Sequence, residues 1–560
     1  MKRFLFSIPL ISMIFLFTTC GPTKEEKAVN EFISSHLEKI KPLDKAMALA
    51  YWKAATTGEN EQYKAYSDLE LKIRKLYSNP EDFKELKSFK QSGQVKDPLL
   101  ARQVDVLTNS YLENQVDTAL LKKIVDLSTK VEQTFSTFRG TIDGKKVTGN
   151  DILDILKNET DSKKRKKAWL ASKQVGEVVA DDVIQLAKLR NQAARKLGFD
   201  NYHTMKLAVG EQDVQVVSQI FDELYGLTNE PFRKLKSELD NKLAKLYQVP
   251  VHKLQPWHYH DPFFQETPLI YDIDLDAYYK DKDVKKLAAE FYQGINLPVE
   301  SILQASDLYE REGKNPHAFC IDIDKEGDVR VLCNLKNNES WMETILHELG
   351  HGVYDKYMDP EVPYLLRQPA HSFTTEAIAM FFGRLSRNAS WMQAMLNLSD
   401  QQKKDIEEVT VKYAQMKQLI FARWAMVMFN FEKAFYADPD QDLNELWWYL
   451  VEKYQFIKKP SGRDEPDWAS KIHIVSYPAY YHNYLLGELL ASQLNHYIAQ
   501  NILEQDPSTV CYVNEPKVGD FLKKKIFEAG DVYPWNEMIK RATGEYLNPS
   551  YFVEQFVQSP

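Results

Sequence analysis

Residues 344–354 read TILHELGHGVY and contain the pattern His-Glu-x-x-His. On a helix, residues four apart lie one turn apart on the same face. His347 and His351 can therefore offer imidazole nitrogens to one zinc ion, and Glu348 can take a proton from a water bound there. Apolar neighbours on both sides indicate a buried helix, where two histidines need partners. The pattern predicts a zinc site, with Glu348 as the general base.

Such a zinc site needs a third protein ligand and an open fourth position for water. Glu376 is the predicted third ligand. The run from His371 to Phe382 predicts a second helix, and the segment before it is broken by prolines (Pro360, Pro363, Pro369), which predict a loop. A helix, a loop and an antiparallel helix would bring Glu376 back to the two histidines.

The composition of the whole chain favours helix. Among 560 residues there are only 21 glycines and 24 prolines, and leucine, lysine, glutamate and alanine are plentiful. Length alone would suggest several domains. The net charge is −9 and we find no basic stripe, so nucleic acid is not a predicted partner.

The N-terminus has the pattern of an export signal. Lys2 and Arg3 precede an apolar run from Phe4 to Phe17, too short to span a membrane comfortably, and Cys20 stands where a bacterial lipoprotein is cleaved and acylated. We predict a signal peptide over 1–20, a polar tether over 21–30 and a zinc metallopeptidase domain over 31–560. The expected location is the bacterial periplasm or cell envelope, with a lipid anchor to the membrane. Residues 17–19 depart from the usual lipobox, which leaves plain secretion open.

A β-hairpin is predicted over about 318–334, because the residues alternate, are β-branched and turn at Glu326-Gly327. Cys320 and Cys333 flank this run and would face each other directly. A disulfide is permitted in an exported protein, although strain could equally leave two free thiols. The aromatic, histidine-rich span 250–271 predicts a buried loop lining a cleft. The segment 471–485 contains more tyrosines and histidines than the packing of a hydrophobic core requires.

Together these segments resemble the gluzincin peptidases, most closely the angiotensin-converting-enzyme (peptidyl-dipeptidase A) family, and next the thimet-oligopeptidase family. The similarity runs from about Trp169 to near the C-terminus, and further matching segments are Leu189–Arg195, Leu446–Leu450 with Lys453–Gln455, and Pro534-Trp535 with Thr543-Gly544. The resemblance implies a mainly α fold. It would be a single large helical ellipsoid, split by a deep active-site cleft, with a small antiparallel sheet.

The resemblance also implies roles for individual residues. Zinc, one ion per chain, would be held by His347, His351 and Glu376, with Glu348 as general base and then acid. The remaining roles fall to three further groups: His473 and Tyr484 for the oxyanion; Gln255, Lys471 and Tyr481 for the substrate's C-terminal carboxylate; and His317 and Ala318 for the edge strand that pairs with the peptide.

Some positions depart from the converting enzymes. Where those enzymes have an acid supporting a zinc histidine, this chain has Met380, and Asp355 or Glu343 could substitute. The spacing from His351 to Glu376 is closer to the thimet-oligopeptidase pattern. The two positions matching chloride-binding arginines are occupied by Val451 and Asn483, which carry no charge. Chloride is therefore not expected to be required.

The predicted function is a zinc peptidase acting on oligopeptides and releasing C-terminal dipeptides. One alternative is an endo-oligopeptidase that needs no free C-terminus. Another, of a different class, is a non-catalytic peptide-binding lipoprotein on a peptidase scaffold. The oligomeric state, the physiological peptide and its side-chain preferences are left open by the sequence.

Overall fold

Helices dominate the computed structural model, which describes residues 21–268, 270 and 274–557. The mainly α fold is therefore confirmed. The helices in chain order are α1 Lys24–Thr57, α2 Asn60–Tyr77, α3 Pro80–Ser92, α4 Pro98–Glu113, α5 Thr118–Thr137, α6 Gly149–Asn158, α7 Ser162–Lys196, α8 Tyr202–Val209, α9 Val214–Tyr247, α10 Asp276–Tyr279, α11 Val284–Gly294, α12 Glu300–Ala305, α13 Glu339–Lys356, α14 Ser372–Gly383, α15 Ala389–Leu396, α16 Asp400–Ala437, α17 Leu443–Gln455, α18 His473–Ser476, α19 His482–Tyr497, α20 Pro516–Leu522, α21 Trp535–Thr543 and α22 Ser550–Phe556.

The chain begins to fold earlier than the sequence suggested. A tether was predicted over 21–30, but α1 starts at Lys24, so that prediction is wrong beyond residue 23. Thr23 and Glu26 form a reciprocal capping box, which satisfies two backbone N–H groups at the helix start. Glu26 also accepts hydrogen bonds from the backbone of Lys96 and Asp97. These bonds fix the first turn of α1 to the segment before α4.

One large hydrophobic core runs from α5 to α22 and surrounds the residues of interest. Helices α1, α3 and α4 share a smaller cluster, which meets the rest of the chain at Leu365. A third cluster joins Trp52 and Ala55 of α1 to the hairpin residues Ile323 and Leu332. Through these contacts α1 lies against the hairpin.

The strands form two antiparallel pairs. β1 Gly140–Ile142 pairs with β2 Lys145–Val147, and β3 Phe319–Asp322 pairs with β4 Val329–Leu332. The second pair is the predicted hairpin. Its register places Cys320 opposite Val331, so the expectation that Cys320 and Cys333 face each other is wrong. Both are free thiols, and the structure contains no disulfide between them.

The predicted signal peptide and its acylated cysteine, Cys20, lie outside the described residues. Among the residues that are described, none of the helices combines the length and the apolar character needed to cross a membrane.

Candidate metal centre and its surroundings

The three predicted metal ligands meet at one point. His347 and His351 stand one turn apart on α13, with ring centroids 5.0 Å apart. Their Nε2 atoms lie 3.7 and 3.9 Å from Oε2 of Glu376 on α14. Ligand atoms bound tetrahedrally at zinc distances would be roughly 3.3–3.5 Å apart, so these donors need to move little to hold such an ion. Two imidazoles and one carboxylate therefore fit a small divalent cation here.

Glu376 reaches the histidines because α13 and α14 pack backbone against backbone. A Cβ atom built on Gly350 would lie 2.7 Å from the Cα of Ala379, closer than real contacts allow. Only glycine at position 350 permits this approach. The start of α13 is fixed by Asn338, whose side chain accepts a hydrogen bond of 2.9 Å from the Trp341 N–H.

The partner that orients His351 is Thr375. Its Oγ1 lies 2.7 Å from Nδ1 of His351, which leaves Nε2 facing Glu376. Of the two acids predicted for this supporting role, Glu343 lies beside His347 but is engaged by Arg387 and Lys417. The other acid lies elsewhere: Asp355 faces Asp322 and Lys325. The prediction is thus wrong for Asp355 and missed the threonine.

Burial sets the protonation of the metal ligands. It lowers the pKa of His347 to about 4 and that of His351 well below its ordinary value, so both imidazoles are neutral and able to bind metal. Burial, followed by the charge of Glu488, raises the pKa of Glu376 to about 7. A buried carboxylate between neutral imidazoles favours a cation as its counterion.

Glu348 lies in the buried centre of the site, next to strand β3. Burial and then the charge of Glu376 raise its pKa to about 8, while the Cys320 backbone N–H, which donates to it, acts in the opposite sense. The neighbouring residues of the predicted edge strand come just before β3. Ala318 is half-buried, and the exposed His317 donates its backbone N–H to Oδ1 of Asn315.

The tyrosine and histidine cluster lies against the metal ligands. The ring of Tyr484 is 5.4 Å from that of Tyr481, which is 5.3 Å from that of His473. Burial is the main cause that raises the pKa of Tyr484 to about 12, with Tyr480 and Glu376 adding to it. Burial also lowers the pKa of His473 to about 4, and its Nδ1 is buried without a hydrogen-bond partner. Tyr484 is thus a proton donor and His473 is neutral.

Lys471 is buried beside Tyr481, with its Nζ 5.6 Å from the centroid of that ring. The predicted third member of this group was Gln255. Lys471 donates a hydrogen bond of 2.6 Å to Oε1 of a different glutamine, Gln265, whereas Gln255 donates its backbone N–H to His258. The role of Gln255 toward a substrate stays a prediction, and Gln265, in the same aromatic loop, is a second candidate that sequence reasoning did not single out.

The loop around Gln265 is shaped by Asp261, a buried acid that sequence reasoning did not single out. Its carboxylate accepts hydrogen bonds from the backbone N–H groups of Phe263, Gln265 and Glu266. The Asp-Pro pair at 261–262 is the available sequence signal, because aspartate before proline favours a turn.

The segment that bears His473 and the tyrosines is held by two buried ionisable side chains, Arg190 and Glu432. Arg190 donates hydrogen bonds to the backbone oxygens of Ile474 and Val475. Glu432 accepts one of 2.8 Å from the backbone N–H of Ala479, which has a φ of +54°. No sequence pattern connects these two residues with the segment they hold.

Comparison with protein families gives a match over nearly the whole chain. Residues 23–556 match the family model of peptidase family M2, described as angiotensin-converting enzyme.

Individual relatives are more distant. The angiotensin-converting enzyme of Rattus norvegicus is 26% identical over 285 residues, which cover 48% of this chain and 21% of that protein. An inactive angiotensin-converting enzyme-related protein of Caenorhabditis elegans is 20% identical over 365 residues, 58% of this chain and 40% of the relative. Thermostable carboxypeptidase 1 of Pyrococcus furiosus is 32% identical over 74 residues, 13% of this chain and 15% of that protein. The chain spans about a fifth of the length of the mammalian relatives it matches.

Proposed function

The chain belongs to the angiotensin-converting enzyme family, and from that premise we propose that it is a zinc-dependent peptidase releasing dipeptides from the C-termini of short peptides. The observation that carries this proposal is the cluster of His347, His351 and Glu376 with Glu348 buried beside it. A relative named as inactive shows that membership alone does not establish catalysis, so the argument rests on these side chains.

Two imidazoles and one carboxylate form the donor set of a catalytic zinc site. When bound, zinc lowers the pKa of a water molecule and polarises the scissile carbonyl. His347 and His351 supply neutral nitrogens, and Thr375 keeps His351 in the tautomer that presents Nε2.

Glu348 moves the proton in this proposal. With the charge of Glu376 offset by a bound cation, Glu348 ionises and takes a proton from the attacking water. It then passes that proton to the departing amine. The backbone N–H of Cys320, which favours the ionised form of Glu348, lies beside its carboxylate.

Tyr484 and His473 are placed to stabilise the negative charge that develops on the carbonyl oxygen. Tyr484 keeps its proton, because its pKa is raised to about 12. The neutral His473 donates from one ring nitrogen. A preorganised donor of this kind contributes roughly 3–4 kcal/mol to transition-state stabilisation.

Lys471, Tyr481 and Gln265 are the proposed binding groups for the substrate's C-terminal carboxylate. Tyr481 lies between the oxyanion donor and the lysine, with 5.4 Å from its ring to that of Tyr484 and 5.6 Å from its centroid to Nζ of Lys471. Two residues of extended peptide span roughly 7 Å, a length that fits within the separation these two distances allow between Tyr484 and Lys471. This spacing favours release of a dipeptide.

Strand β3 offers an edge for the peptide backbone. Within the described residues its ladder partner is β4, which also forms a bridge with Asp307 on its other side. The peptide would add to the open edge of β3, beside Glu348, with His317 and Ala318 at the strand's entrance.

Product analysis tests the proposal. A defined peptide is incubated with the purified protein, with and without a chelator, and the products are identified by mass spectrometry. We expect stepwise loss of C-terminal dipeptides, abolished by the chelator and restored by zinc. Interior cuts would instead support the endo-oligopeptidase, and zinc binding with no cleavage would support a peptide-binding protein.

Chloride is not expected to activate the enzyme. Oδ1 of Asn483 accepts a hydrogen bond of 2.7 Å from Gln212, a neutral pair. Val451 borders the same small cavity as Asp467, whose carboxylate is already paired with Arg463. At constant ionic strength, replacing acetate by chloride should change kcat/KM by less than about twofold. Strong chloride-specific activation would contradict this assignment.

We also propose that the protein is exported and anchored to the membrane through acylated Cys20. This rests on the sequence pattern alone. Cys20→Ala should release the protein from the membrane fraction of cells, and unchanged membrane association would refute lipidation.

A further inference from the structure

A cavity of about 500 Å3 adjoins the metal centre on the side away from Lys471. Thr375, the partner of His351, lies in its wall, and so does Tyr480. Tyr480 and Tyr481 are neighbours in the chain, and both rings lie 5.4 Å from that of Tyr484. Tyr481 contacts Lys471, whereas Tyr480 faces the cavity.

These positions define the direction in which a bound peptide runs through the site. If the C-terminal carboxylate is held at Lys471 and the scissile carbonyl lies at Tyr484, the residues before the scissile bond must leave past Tyr480. The cavity, with Tyr480 in its wall, can receive them.

The cavity wall carries more negative than positive charge. Two of its acids, Glu211 and Asp531, share one cation, because Arg102 donates to both carboxylates. A separate pair, Glu113 with Lys206, is balanced. One guanidinium facing two carboxylates leaves a surplus of one negative charge.

Both acids of the shared pair are fixed in place by Arg102, and Asp531 is ionised at neutral pH. Asp531 is held on its second oxygen by Gln368 at 2.9 Å, and burial raises its pKa to about 6, below neutral pH. The side chain of Glu211 is 23% exposed, so part of its carboxylate is open to the cavity.

We propose that this cavity binds the peptide residues that precede the scissile bond and selects for a cationic side chain there. The inference rests on the proposed function and adds a class of substrate: short peptides with lysine or arginine two or three residues before the bond that is cut. A cation near Glu211 neutralises the surplus charge, and a glutamate would add to it.

The test uses two peptide series, acetyl-Xaa-Phe-Ala-Leu and acetyl-Xaa-Gly-Phe-Ala-Leu, with lysine, glutamine or glutamate as Xaa. The acetyl group removes the terminal amine, so Xaa carries the charge before the scissile bond. In at least one series, kcat/KM should be about tenfold higher for lysine than for glutamate, with glutamine between them. Equal values for the three peptides in both series would overturn the inference while leaving dipeptide release intact.

A variant tests whether the preference for lysine over glutamate arises in this cavity. Glu211→Gln removes the surplus charge and leaves Arg102 paired with Asp531, so the ratio of lysine to glutamate rates should fall to about two or less. Glu408→Gln is the matched control, because Glu408 is an exposed acid of α16, ion-paired with Lys412 and outside the cavity. If both variants keep the wild-type ratio, the preference does not come from this cavity and the inference fails.

A binding measurement separates this inference from the proposed function. Calorimetry with zinc-loaded Glu348→Gln protein reports peptide affinity without turnover. Tighter binding of the lysine peptide supports the cavity assignment even if the wild-type protein cleaves nothing. Binding without preference, or no binding, contradicts it.

Discussion

The metal ligands and the groups around Lys471 are built in different ways. The ligands come from α13 and α14, two helices in direct contact and close in sequence. Lys471 and Tyr481 share one segment, whereas Gln265 lies 206 residues before Lys471, and a hydrogen bond and a ring contact join the three. Helix periodicity and the contact of two neighbouring helices fix the first set, whereas packing between segments distant in sequence fixes the second. We therefore expect single substitutions at the metal centre to lower activity strongly. Single substitutions around Lys471 should lower it in smaller steps.

The largest effect is expected at Glu348. Glu348→Gln removes the proposed base and no metal ligand, so hydrolysis should fall by about a thousandfold or more while zinc content stays near one per chain. Metal content by plasma mass spectrometry and turnover of a defined peptide measure the two quantities. Near-normal turnover would show that the proton is moved by another group.

The next effect distinguishes the two glutamines. Gln265→Ala removes a group beside Lys471 that can bind a carboxylate, and should lower kcat/KM for free-acid peptides by about tenfold. Gln255→Ala, the matched control in the same loop, should change it by less than about twofold. A large loss for Gln255→Ala and none for Gln265→Ala would support Gln255 as the carboxylate-binding glutamine and contradict the proposed role of Gln265.

A smaller effect is expected at Thr375, behind the metal ligands. Thr375→Val keeps the shape of the side chain but removes the oxygen that faces Nδ1 of His351, so zinc affinity should fall by about tenfold. Thr375→Ser should recover most of it. Competition with a chromogenic chelator measures the affinity, and equal affinity of the valine and serine variants would exclude the orienting role.

The sequence predicts what depends on local periodicity. The two histidines lie on one face of a helix, and Glu376 follows on the next helix, so the ligand set follows from the order of residues along the chain. The mainly α fold follows from composition in the same way. The close contact between Gly350 of α13 and the backbone of α14 could not be derived from the His-Glu-x-x-His motif.

The errors occur where contacts between elements, rather than the period of one helix, decide the structure. The contact of Gln265 with Lys471 was not foreseen, because it depends on where Asp261 turns the loop through backbone hydrogen bonds to its carboxylate. The hairpin was found, but its register decides which residues face each other, and a small shift separated Cys320 from Cys333. The start of α1 at Lys24 depends on Glu26 binding the backbone near α4.

The most direct test of dipeptide release compares one peptide as free acid and as C-terminal amide. The amide removes the charge that Lys471 is proposed to bind, so kcat/KM should fall by about ten- to a hundredfold. Lys471→Met should slow the free acid and nearly erase the difference between the two peptides. Equal rates for acid and amide in the wild-type protein, or interior cuts without dipeptide release, would contradict the account.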